Sequence, residues 1–164
     1  MRDYRFSGTW TVPAAPDAVA GLLVDLERYP SWWREVRAVA SLGEDDALVV
    51  CRSWLPYSLD LHLTAVSRRL PVLQIDMDGD LVGTARWTLS PDPAGTRMVF
   101  DQQVRVTNRV LGLASYVARP LLVWNHDRMM RSCVSGLSGL LVDGGHVAVP
   151  GAGDGAPRDS GVEG

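Results

Sequence analysis

Tyr4, Phe6, Gly8, Trp10 and Val12 alternate with Arg5, Ser7, Thr9 and Thr11, a period of two that predicts a half-buried strand. Pro13 and Pro16 end it. Asp17 to Tyr29 carries Val19, Leu22, Leu23 and Leu26 at helical spacing, and Pro30 predicts the stop, with one further short turn over Ser31 to Glu35. Six more strands are expected. Arg37 to Leu42 and Ala47 to Trp54 flank the acidic turn Gly43-Glu44-Asp45-Asp46. Leu59, Leu61, Leu63 and Ala65 then alternate with Ser58, Asp60, His62 and Thr64. Leu73, Ile75 and Met77 alternate with Gln74 and Asp76, and Leu81, Gly83, Ala85, Trp87 and Leu89 with Val82, Thr84, Arg86 and Thr88. Met98, Phe100, Gln102, Val104 and Val106 close the series against Val99, Asp101, Gln103 and Arg105. One face is apolar and the other mostly polar, as in an antiparallel sheet covered on one side.

The turns set the register. A three-residue loop, Asp78-Gly79-Asp80 with Gly79 in the left-handed region, keeps Met77 facing Leu81. The hairpin around Pro91 to Gly95 pairs Leu89 with Met98, Trp87 with Phe100, Ala85 with Gln102 and Gly83 with Val104. The last element runs from Asn108 to Val142 and is broken or kinked at Pro120. Its stripe holds Leu122, Met129, Cys133, Gly136 and Leu140, with Asn125 and His126 in or beside it. A long C-terminal helix lying on a curved antiparallel sheet of about seven strands is an α+β architecture.

A chain of 164 residues fits one domain, placed at residues 1–143. Residues 144–164 hold seven of the 16 Gly and no Leu, Ile or aromatic residue, so they are expected to be a disordered tail. The net charge of -3 argues against a nucleic-acid partner, which needs a basic face. Only Cys51 and Cys133 occur, without paired spacing, which favours buried thiols in a reducing compartment. No apolar signal region opens the chain and no apolar run of about 18 residues exists, so a cytoplasmic protein without a membrane span is expected.

The stretches Val12 to Trp33 (VPAAPDAVAGLLVDLERYPSWW), Leu55-Pro56-Tyr57, Gly79 to Leu89 (GDLVGTARWTL), Gly95-Thr96 and Trp124 to Met130 (WNHDRMM) follow one another in a familiar order. Together they resemble the SRPBCC superfamily: START-like, polyketide cyclase/dehydrase and coenzyme-Q-binding proteins with a helix-grip fold. The closest likeness is to a small polyketide cyclase-like branch, and it covers residues 4 to 142. The resemblance implies a deep apolar cavity between the concave sheet and the long helix. Members bind lipids, sterols, quinones or polyketides there, and a minority catalyse reactions on them. They share no catalytic residue set, so the fold alone supplies no enzyme.

Within that frame the side chains divide. Gly8, Gly83 and Ala85 either leave volume for a ligand or mark bends in the sheet. Gln102 is polar on an apolar face. Arg52 shares the parity of Leu48, Val50 and Trp54, so it either points inward to anchor a ligand or reaches solvent from the strand end. Asn125 and His126 either face the cavity or are satisfied at the edge of the cover. Trp33, Trp54 and Trp87, with Trp32, Trp124 and Met129, are candidates for wall or rim. The ligand-binding set is therefore Trp33, Arg52, Trp54, Trp87, Gln102, Asn125, His126 and Met129.

No His pair supports a metal, and Asp76, Asp78 and Asp80 miss calcium-loop spacing because Trp87 stands where the closing carboxylate belongs. No phosphate or dinucleotide loop occurs, so no cofactor is expected. The expected activity is binding of a hydrophobic small molecule. The alternative is a cyclase, aromatase or dehydratase in which Arg52 or Gln102 polarises a carbonyl and His126 moves protons.

Overall fold

The alternation from Tyr4 to Val12 forms β1 (Asp3–Val12) in the computed structural model, which describes residues 3–109, 112–113 and 118–144. Helix α1 (Pro16–Val24) starts on Pro16, whose missing N–H costs nothing in a first turn, and buries Val19 and Leu23. The helix expected to run to Tyr29 stops earlier, at Asp25. A 3-10 turn over Leu26–Arg28 follows, then a short helix α2 (Tyr29–Trp32). The Tyr29 hydroxyl donates to the Leu23 carbonyl, one of the acceptors that a helix end leaves open, so the chain folds back on itself. Pro30 thus opens a second helix instead of closing the first.

Six strands follow: β2 (Val36–Ser41), β3 (Asp46–Arg52), β4 (Ser58–Arg69), β5 (Val72–Gly79), β6 (Leu81–Asp92) and β7 (Gly95–Val106). They pair antiparallel in the order β1-β7-β6-β5-β4-β3-β2. The four pairs expected between β6 and β7 all form. Between β5 and β6 the expected register is two residues short: Met77 faces Gly83, not Leu81. Parity survives the shift, so the same side chains stay inside. Gly79 has the expected positive φ, 104°.

Register shifts in β2 near Val36/Ala38 and in β4 near Ala65/Ser67 bend the sheet, as bulges do. Gly83 shows why a bend needs glycine: at φ 154° a Cβ there would lie 2.0 Å from the Gln103 carbonyl oxygen.

Of the two outcomes expected at Pro120, a break and not a kink is found: Ala118 is not helical, and Pro120 sits in the first turn of α3 (Arg119–Gly144), the long C-terminal helix. The expected start at Asn108 lies in a stretch described only in part, and the expected tail beyond Gly144 lies outside the described residues. Val12, Val19, Leu89, Met98, Cys133 and Leu137 are fully buried where β1, β6, β7, α1 and the later turns of α3 meet. That end of the molecule is solid core. The helix comes so close to α2 there that a Cβ on Gly136 would lie 2.0 Å from the Trp32 carbonyl oxygen.

Gly136→Ala is therefore expected to destabilise by about 1–3 kcal/mol through overpacking against backbone. Gly139→Ala, where nothing lies within 4 Å, should be neutral or stabilising by about 0.5–1 kcal/mol. Thermal unfolding of the two variants checks the pair, and equal shifts would show that the close approach carries no weight.

Candidate functional site

At the other end the sheet and helix touch only in part. A cavity of about 200 Å³ lies between them. By the same measure one water needs about 10–15 Å³, so this is a ligand-sized space and not a packing defect. Inward residues of β3 to β7 form one wall, among them Leu61, Leu63, Met77, Ala85 and Phe100. Tyr29, Trp33, Met129 and Met130 form the other.

Two polar side chains meet in this apolar setting. Gln102, on β7, is buried on the parity the alternation gave it, and His126 reaches it from α3. The His126 Nε2 lies 2.7 Å from the Gln102 Oε1. The imidazole stacks on Phe6, with ring centroids 3.6 Å apart at 13°. Burial pushes the His126 pKa down from 6.5 to about 4, so the ring is neutral at pH 7 and its Nε2–H donates to Gln102. Its Nδ1 is buried without a hydrogen bond, since the Asp127 carboxylate at 3.9 Å is too far for one. The Gln102 amide nitrogen has only the Met77 thioether, 3.8 Å away and a weak acceptor, so it keeps donor capacity.

The expected residues fall into two groups. Trp33, Trp87, Gln102, His126 and Met129 line the cavity. Trp33 also donates its indole N–H to the Met129 carbonyl at 3.2 Å, which makes it a fixed wall. Arg52, Trp54 and Asn125 do not line it. In β3 the buried residues are Ala47, Val49 and Cys51, so Arg52 points to solvent with Leu48. Both faces of Ala47 to Cys51 are apolar, and alternation there could not choose between them. Trp54 is 65% exposed and packs edge-on against Trp124, with centroids 5.8 Å apart, on the outside. Asn125 is buried, its amide nitrogen 3.9 Å from the Met129 sulfur and its Oδ1 unpartnered.

The small residues also separate. The space over Gly8 is taken by the Trp10 ring, Gly83 serves the bend, and only Ala85 opens volume in the cavity. Sequence reasoning missed Phe6 as the ring beneath His126 and missed Arg68, which lines the cavity from the far end of β4. The alternation did place Phe6 inward, but nothing in it signalled Arg68.

Burial, with the Glu35 carboxylate adding to it, pushes the Cys51 thiol up to about 12 and raises Cys133 as well, so neither is a thiolate nucleophile. Both are free and buried. Among the described residues no cluster of His, Cys, Asp or Glu could hold a metal, and no helix is long and apolar enough to cross a membrane.

Comparisons with known proteins agree on the architecture. The family model described as "Polyketide cyclase / dehydrase and lipid transport" matches residues 4–137. A START superfamily protein from Mycobacterium smegmatis superposes with a TM-score of 0.69 at 17% identity, over 85% of this chain and 97% of that one. The Zhui aromatase/cyclase from Streptomyces sp. R1128 gives 0.74 at 14% identity, over 89% and 98%. The protein TTHA0849 from Thermus thermophilus gives 0.72 at 17%, over 87% and 99%. At such identities the structural likeness is one of fold. No curated protein matches the chain.

The low His126 pKa has a consequence for stability. Below pH 6.5 the unfolded chain gains a proton at this position, while the folded protein does not until about pH 4. Stability should fall as pH drops through that window, by up to about 1.4 kcal/mol per pH unit from this group, and the contribution should be absent above it. Urea unfolding of wild type and His126→Gln between those pH values measures the difference in slope. Identical slopes would mean that the imidazole is not held neutral.

Proposed function

The chain belongs to the polyketide cyclase/dehydrase and lipid transport family, and from that premise we propose that it binds a hydrophobic small molecule in the cavity between the sheet and α3. Lipids, quinones and polyketide-like aromatics are the candidate classes. The observation that carries this reading is the pairing of an apolar cavity of about 200 Å³ with one buried polar couple, Gln102 and His126. Apolar walls supply affinity, while a few placed polar groups orient the ligand. The Gln102 amide, now facing only a thioether, is suited to donate to a ligand carbonyl or hydroxyl oxygen.

The second reading is a cyclase, aromatase or dehydratase acting in the same cavity. A neutral imidazole at its wall favours it, because only the neutral ring accepts a proton. A pKa of about 4 weighs against it, since a general base works best with a pKa near the operating pH. Binding is therefore the main reading.

Titration with 1,4-naphthoquinone is expected to quench fluorescence from Trp33 and Trp87 and to raise Tm, by about 2.7 kcal/mol of stabilisation at a hundredfold excess over Kd. Ala85→Phe, which fills the cavity, should abolish both effects. Gln102→Leu should weaken naphthoquinone about tenfold while leaving naphthalene unaffected. If neither fluorescence nor Tm responds to either compound, the cavity is not a binding site.

A further inference from the structure

Among the described residues that line the cavity, all are buried or half-buried except Arg68, which is exposed. Beside the cavity lies a surface depression that shares Val24, Leu26, Ala65 and Arg68 with it. The rest of that depression carries the carboxylates of Asp25, Glu27, Glu44, Asp45 and Asp46. The Arg68 guanidinium is hydrogen-bonded to Asp45 and lies 3.8 Å from Glu44, so its charge is already matched. The acidic turn is fastened to the cavity rim through the backbone as well: the Ala65 N–H donates to the Asp45 carbonyl at 2.7 Å. Just beyond, β4 bulges between Ala65 and Ser67, Val66 is exposed, and Arg68 reaches the acidic turn.

We propose, on the footing of the binding reading above, that ligands reach the cavity past Arg68 through this acidic vestibule, which selects uncharged molecules over anionic ones. Five carboxylates against one guanidinium give the vestibule a negative potential. A cleft lined by one sign of charge changes the association rates of charged ligands by about tenfold to a thousandfold. The interior repeats the preference. Its deep polar groups are an amide and a neutral imidazole, so a carboxylate or phosphate would be desolvated with no cation to receive it. The ligand class narrows accordingly to uncharged molecules with a carbonyl, hydroxyl or quinone oxygen.

A matched pair of fluorescent probes tests this. N-phenyl-1-naphthylamine and 8-anilinonaphthalene-1-sulfonate share one ring skeleton and differ by a sulfonate. In stopped flow at low salt the neutral probe is expected to associate at least about tenfold faster. The gap should shrink at about 0.5 M NaCl, where screening is short-ranged, and in the double variant Asp25→Asn/Glu27→Gln. The neutral probe itself should be insensitive to both changes. Arg68→Ala should speed both association and dissociation of the neutral probe.

Equal association rates, or a gap that neither salt nor the double variant alters, would overturn the vestibule. So would unchanged rates in Arg68→Ala. If neither probe binds wild type, or if both bind Ala85→Phe as well as wild type, the cavity reading falls, and the vestibule with it.

Discussion

The contact between the aromatic corner and the long helix sets everything else. Trp33 donates to the Met129 carbonyl, and the Trp32 carbonyl abuts Gly136. Positions 129 and 136 are two helical turns apart, so they present one face of α3 to α2. The corner is itself rigid. Tyr29 is tied by its hydroxyl to Leu23 and meets Trp32 edge-on at 4.8 Å, and burial raises its phenol pKa well above the ordinary value. A prop of this kind fixes the height of the helix over the sheet. Without it, burial of apolar surface would draw α3 down into the concavity and close the space.

The interior that results is a poor place for charge. His126 stays neutral there, and the two thiols stay protonated. The same low polarity strengthens whatever hydrogen bond a ligand makes with Gln102, because water does not compete for it. An environment that weakens His126 as a base therefore improves the couple as a recognition element. Recognition and proton transfer make opposite demands on the surroundings of an imidazole, and the surroundings of His126 suit the first.

Strands whose two faces differ were legible from the chain. β6 and β7 alternate apolar and polar with few exceptions, Val82, Val99 and Gln102 among them, and the hairpin around Pro91 to Gly95 set their register. β3 was not legible, because Leu48 and Val50 are as apolar as Val49 and Cys51, and the face of Arg52 was left open as a result. Pro30 and Pro120 were visible as punctuation, yet a proline marks a first turn as well as a last one, and only packing decides which. His126 and Gln102 were each visible; their meeting was not, since it depends on how the helix lies across β7. Arg68 sits among polar neighbours beyond a bulge, where parity carries no information about what lies behind it.

The unequal packing of the two ends bears on how such a protein can change over generations. Val12, Leu89, Met98 and Leu137 are fully enclosed, so most replacements there cost folding. Ala85, Met129 and their neighbours border open space and can gain or lose bulk without disturbing that lock. On the binding reading, stability and specificity are thus held by different residues. A lineage can trade one ligand for another by recutting one end of the molecule while inheriting the other intact.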